Sequence, residues 1–354
     1  MSGHRLALSL GCAALVTATL AGEPRSPDDN PFSFFASVTS ITSADRQRID
    51  SGEVLTRILP APDGEVAVFA ASKLEEDAEA VVRWTHAIEQ LKKGPYVMAI
   101  KRFSDPPVLS DLDSLVLDDV DLEGIRECRA GDCSVKLASH EIESLKAAAA
   151  SGADWKQAVQ RQFRQLLFER ISTYRAHGFA ALPAYADRPG QTAMHEQLAG
   201  ILDRSPHLRT HLPKVVGALG RYPRVEVPHA QSFLYWSKEH YGRGKPVVAV
   251  TQVHIVRPRG PSLPSVVVLG QEIFASHYRD GSLGTTFVLE SGTNRYLAYL
   301  NRSRLDPLDG MFSGLKRKIV QRKLGSEVRA AIETVRRRIE AGEPSESTAS
   351  LKMP

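Results

Sequence analysis

The chain has 354 residues, 42% of them hydrophobic and 24% charged, with a formal net charge of +4. This composition excludes a disordered or collagenous chain and gives enough length for two domains or one large elaborated one. So small a net charge points to no nucleic-acid partner, and the distribution of charge matters more than its sum.

The chain opens "MSGHRLALSLGCAALVTATLAGEPRSP". Arg5 precedes an uncharged run from Leu6 to Leu20, too short to span a bilayer and ending in small residues. Thr19-Leu20-Ala21 before Gly22 reads as a signal-peptidase site, so residues 1–21 are expected to direct export to the periplasm or beyond. Cys12 leaves with that segment. The remaining pair, Cys128 and Cys133 in "CRAGDC", then predicts a disulfide closing a small loop, with Gly131 and Asp132 supplying the turn. A redox motif wants two intervening residues, and a zinc site needs more ligands. Residues 22–50 are rich in Pro and Ser and read as a linker or loosely packed arm.

Residues 64–103 predict strand, helix, strand. Val66, Val68 and Ala70 alternate with Ala67, Phe69 and Ala71. Asp77 then caps a helix carrying Val81, Trp84, Ile88 and Leu91, and "YVMAIKRF" follows Gly94-Pro95 as a second strand. Residues 105–225 read as a mostly helical insertion, clearest at Asp154–Tyr174, where Trp155, Val159, Phe163, Leu166 and Tyr174 share a face. Its first part holds eight acids (Asp105, Asp111, Asp113, Asp118, Asp119, Asp121, Glu123, Glu127) against Arg126. These lack the order of a calcium loop and are expected to be solvated. His207 and His211 have the spacing of two ligands on a helix, but Ala199 breaks the metalloprotease pattern after His195-Glu196. Two exposed histidines are expected there, and neither a metal nor a cofactor.

From about residue 231, "QSFLYWSKEHYG", "KPVVAVTQVHIV", "VVVLGQEIFASHY", "LGTTFVLE" and "RYLAYLNRSR" form an antiparallel meander. Within "ASHYRDGSLG", His277, Tyr278, Asp280 and Ser282 have the look of chemistry, but Asp280-Gly281 between apolar runs predicts a hairpin turn. The Gly-x-Ser-x-Gly elbow of a hydrolase is missing here. A long helix from about Met311 to Glu340 follows, its apolar stripe running Leu315, Ile319, Leu324, Val328, Ile332, Val335 and Ile339. Its bases, Lys316 through Arg338, suit either a solvated face or contact with an anionic membrane surface. Residues 341–354 read as a disordered tail.

The texture of "EVAVFAASKLEEDAEAVVRWTHAIEQL", the meander, and "LDPLDGMFSGLKRKIV" before the long helix together resemble the START-like or helix-grip superfamily. That group includes steroid- and lipid-transfer domains and polyketide cyclases. The resemblance implies an α+β fold in which residues 51–104 and 226–340 build a curved antiparallel sheet gripping the C-terminal helix over an apolar cavity. The 105–225 insertion is a departure from it. The implied function is binding or carriage of a hydrophobic small molecule or lipid, with polar residues on apolar strand faces orienting the ligand. Arg302 and Arg304 share a face expected to lie outside, which turns Leu297, Tyr299 and Asn301 inward. Tyr278, sharing a face with Phe274 and Val268, and His254, alternating with Val250 and Val256, complete the candidate ligand contacts. Two alternatives stand beside the carrier. One is a cyclase or dehydratase using Tyr278, Tyr299 or His254 as acid or base; the other is a periplasmic interaction module.

Overall fold

The computed structural model describes residues 30–240, 244–260, 262–306 and 313–345. The proposed signal segment, residues 22–29 and the tail beyond Ser345 lie outside these. One open antiparallel sheet runs through the described chain: β1 (Leu55–Leu59), β2 (Glu65–Leu74), β3 (Val97–Arg102), β4 (Ala230–Glu239), β5 (Val247–Val256), β6 (Val266–Ala275), β7 (Arg279–Ser291) and β8 (Asn294–Leu305). Its order is β1-β2-β8-β7-β6-β5-β4-β3, so the last strand closes against the first long one. The helices are α1 (Ser43–Asp50), α2 (Ala78–His86), α3 (Ile88–Leu91), α4 (Asp119–Glu127), α5 (Ser139–Ala149), α6 (Trp155–His177), α7 (Met194–Asp203), α8 (Pro206–His211), α9 (Pro213–Leu219) and α10 (Ser313–Glu340). The fold is α+β, and the 105–225 segment is mostly helical, with α4 to α9 inside it.

Pairing β8 with β2 has a geometric consequence. The chain leaves β8 beside β2, and α10 lies back along β1 and β2. Its Val328, Ile332, Val335 and Ile339 pack with α2 and one face of the sheet, the stripe the 3.6-residue period predicts. Several of its bases hold it there: Arg336 donates to the Gly52 carbonyl and Arg338 to that of Leu91. Residues just after α10 are docked, against the expectation of a tail disordered from residue 341. Trp84 Nε1 donates to the Gly342 carbonyl at 2.8 Å and Gln90 to that of Ser345 at 2.7 Å.

The insertion covers the opposite face, where it shares one core with the sheet. The sequence segment expected to be a loose arm belongs to that core. Asn30 caps a 3-10 turn at Pro31–Phe35, and Phe32, Phe34 and Phe35 are each no more than 2% exposed. Phe35 meets Phe69 of β2 and Phe287 of β7 at 5.0 Å each. The same aromatic group encloses His207, which is fully buried rather than exposed. Burial lowers its pKa to about 3; His211 stacks on Phe34 and remains exposed.

Charge fastens the insertion to the sheet. Two of the acids expected in water are buried, one capping its own loop and one paired across that junction. Asp111 accepts from the Ser104 and Val108 amides, and Asp121 from His277 at 3.0 Å. Asp118 meets Lys238 of β4 at 2.6 Å. Deepest is Lys136, 2% exposed, whose ammonium lies 2.7 Å from Asp280, 3.0 Å from Asp306 and 3.2 Å from Asp187. Burial opposes that charge, but the three carboxylates outweigh it and raise the lysine pKa. Arg188 pairs with the other oxygen of Asp280.

This cluster corrects the Asp280-Gly281 hairpin. Asp280 is a buried residue of β7, and the turn falls earlier, at Tyr278, whose φ is +62°. The ion pairs outweigh the turn preference of the dipeptide. The sulfurs of Cys128 and Cys133 are bonded, at 2.00 Å. Among the described residues no helix is long and apolar enough to cross a membrane. Phe35→Ala is expected to lower the unfolding free energy by about 3–5 kcal/mol, as large-to-small changes in a filled core do. Urea denaturation checks this, and a loss below about 1 kcal/mol would show the arm to be loosely held.

Candidate functional site: a graded cleft on the helix side of the sheet

On the three central strands the two faces differ. Toward the insertion, Leu283, Thr285, Phe287, Tyr296, Ala298 and Leu300 are buried. Toward the helices, Val268, Gly270, Ser282, Gly284, Thr286, Tyr299 and Asn301 are only half-buried. α10 lies over β1 and β2, and α2 approaches β6 from the other side, and the half-buried strip between them is the candidate cleft.

Strand register arranges that surface in rows. At one end Val266, Val288, Leu297 and Ser72 lie side by side, and next to them Ile255, Val268, Thr286 and Tyr299. The third row is Phe233, Val253, Gly270, Gly284 and Asn301. The last holds Tyr235, Thr251 and Glu272 on β4 to β6, with Ser282 beside Ser303 on β7 and β8. The floor therefore passes from apolar to polar along the strands.

Two glycines face each other in the middle of this floor. A Cβ at Gly284 would come within 3.2 Å of the Tyr299 hydroxyl, which lies over that bare backbone. A Cβ at Gly270 would meet only Thr251 Cγ2 at 3.6 Å and the Gly284 carbonyl at 3.7 Å, ordinary contacts. Neighbours do not demand glycine at 270. Its effect is to leave the floor open.

Most groups at the polar end are mutually satisfied. Ser282 and Ser303 hydroxyls are 2.8 Å apart, Asn301 Nδ2 donates to Ser282, and Ser303 donates to Asn301 Oδ1. Ser237 donates to Glu239, and Lys92 from the end of α3 reaches both Glu239 and the Tyr235 hydroxyl. Glu272 differs. Arg279 Nε donates to Oε2 at 2.7 Å, while Oε1 is buried and has no hydrogen-bond partner. Burial, opposed by Arg279 and reinforced by Glu239, pushes its pKa up to about 7. Burial also raises the Tyr299 phenol to about 12, so it stays protonated.

The four candidate contacts do not come together. Tyr299 and Asn301 occupy the cleft, though the reason given for their orientation fails: Arg302 is buried against Glu65 on the insertion side, not in water. His254 lies on the far face, its Nδ1 2.8 Å from Ser232 Oγ and its ring 4.6 Å from that of Tyr222; burial lowers its pKa to about 4. Tyr278 stands beyond the strand end, its hydroxyl accepting from the Lys245 amide at 2.7 Å. It shares no face with Phe274 and Val268, because a register shift on β6 sends those two to opposite sides. Sequence reasoning missed Glu272, Gly270 and Gly284. A lone acid and a glycine inside the apolar run "VVVLGQEIFA" were the available signal. Among the described residues no group of three or more His, Cys, Asp or Glu side chains is placed to hold a metal.

Comparison with family models, characterised proteins and solved structures finds no match to this chain.

The raised pKa of Glu272 has a definite sign. The folded protein holds this proton more tightly than the unfolded chain, whose carboxyl titrates near 4.5. Its contribution to stability is complete below about pH 4.5 and is lost as pH rises to about 7. The difference in unfolding free energy between wild type and Glu272→Gln should therefore fall across that window and level off above it. A flat difference from about pH 4 to 8 would place the group at an ordinary carboxyl value.

Proposed function

We propose that this is an exported START-like, helix-grip protein that binds an apolar small molecule or lipid between the sheet and α10. The observation that carries the reading is the half-buried centre of one sheet face, bounded by a buried apolar row at one end and a largely buried polar row at the other. An ordinary packed core is apolar and closed. This surface has instead the make-up of a ligand site, mostly apolar with a few convergent polar groups.

The long C-terminal helix returning over the opening strand supports the helix-grip assignment, as does the placement of the insertion on the other face, which leaves the cleft unfilled from that side. The rows also orient the ligand. Its apolar body would lie over the half-buried Val268 and Gly270, and its polar group toward Glu272 and Tyr235.

Native mass spectrometry of the mature protein purified from the cell envelope should reveal a recurrent small molecule that is released on denaturation. Gly270→Ile, whose Cβ meets only ordinary contacts, should cover the floor and weaken rebinding of that molecule by about tenfold or more without loss of thermal stability. Unchanged binding in this variant would remove the cleft from consideration.

A further inference from the structure

We propose that Glu272 is a proton-transfer residue, and that the cleft acts on an apolar carbonyl compound at the carbon beside its carbonyl group. The proposal rests on the cleft reading above and adds chemistry to it.

Glu272 has the geometry of a positioned base. One carboxyl oxygen is fixed by Arg279 at 2.7 Å, which sets the plane of the group. The other, Oε1, is buried and unpartnered on the face of the sheet that lines the cleft. A structural carboxylate in a protein interior normally has both oxygens satisfied, because a buried acceptor without a donor has lost its hydration and gained nothing in return. The charged groups facing it are Arg279 on β7, Glu239 on β4 and Lys92 just after α3. Arg279 and Lys92 favour the carboxylate, and Glu239 with burial disfavours it. The result is a group that both takes and returns a proton near neutral pH, the condition for general acid–base work.

The complementary donor is Tyr299. Its hydroxyl lies over Gly284, in the row next to that of Glu272, and Gly270 and Gly284 leave the floor between them without side chains. A carbonyl oxygen seated at Tyr299 would place its neighbouring carbon toward Glu272. In the forward step Oε1 takes the proton of that carbon. The C–H electron pair becomes the carbon–carbon double bond of an enolate, and the carbonyl π pair moves to oxygen, where Tyr299 donates a hydrogen bond. The carboxyl of Glu272 then returns a proton to the same carbon, or to the far carbon of an unsaturated ketone, shifting the double bond. Charge and atoms balance with no oxidant, reductant or co-reactant.

The test follows deuterium incorporation into 2-decalone, an apolar bicyclic ketone, by proton NMR in deuterated buffer with the mature protein. The expected result is exchange beside the carbonyl about 100-fold or more above the buffer rate. After subtraction of the Glu272→Gln rate it should climb with pH and level off above about 7, because the carboxylate is the acting form. Glu272→Gln should fall to the buffer rate and Glu272→Asp should keep part of the activity. Equal rates for wild type and Glu272→Gln overturn the proposal. So does exchange at the buffer rate while the ketone raises the melting temperature by about 2 °C or more, an outcome that leaves the cleft reading intact. Neither exchange nor any thermal shift in wild type overturns both readings. The pH profile of wild type alone decides the matter if the variants do not fold.

Discussion

The ammonium of Lys136, enclosed by Asp280, Asp306 and Asp187, is the contact on which the arrangement of this molecule turns. A charge buried this deeply is tolerated only when it is paired, and removing one member of such a set leaves uncompensated charge in the interior. Lys136 and Asp187 belong to the insertion, Asp280 is the second residue of β7, and Asp306 follows β8. One cation therefore ties the insertion to the end of the sheet where the polar row of the cleft begins. The Lys136 amide adds to the tie by donating to the Ser276 carbonyl at 2.9 Å.

That tie reaches the cleft through a single peptide unit. A register shift at the start of β7 separates the directions of Arg279 and Asp280. Asp280 turns toward the insertion and Arg279 toward the helix side, where it holds Glu272. Anchoring Asp280 thus sets the position of Arg279, and through it the plane of the Glu272 carboxyl. The positive φ of Tyr278 belongs to the same constraint, since the chain must reverse before Asp280 reaches its cations.

The two faces of the sheet are built on different principles. The insertion side is filled: Phe34, Phe35 and Phe287 close around His207, Phe69 packs on Phe35, and Glu65 is buried between Arg204 and Arg302. The helix side carries its filling at the margins, under α10 and α2, and leaves the centre half-open. Two apposed glycines in central strands weaken a sheet, by roughly 0.5–1 kcal/mol each relative to alanine. Their presence where neighbours leave room for a side chain at 270 marks a surface shaped for something other than maximal packing.

Period and composition sufficed for the elements themselves. The alternation in "EVAVFAASKL", the Asp77 cap, the meander after residue 230, the single stripe of the last helix and the pairing of Cys128 with Cys133 are all local properties, set by residues a few positions apart. They appear in the structure as β2, α2, β4 to β8, α10 and the disulfide. What local pattern could not decide was which face each side chain would meet and what would cover it. Arg302 read as exposed because arginine usually is, yet Glu65 comes to it from a distant position. Phe34 and Phe35 read as part of a loose arm, since the strands that bury them lie far along the chain. Asp280 read as a turn, because its cations come from an insertion far upstream. The cleft is of the same kind: Glu272, Gly284 and Tyr299 sit on three strands, and only their pairing places one polar row beside a bare floor. Secondary structure follows from neighbours in sequence, whereas burial, charge compensation and the site follow from neighbours in space.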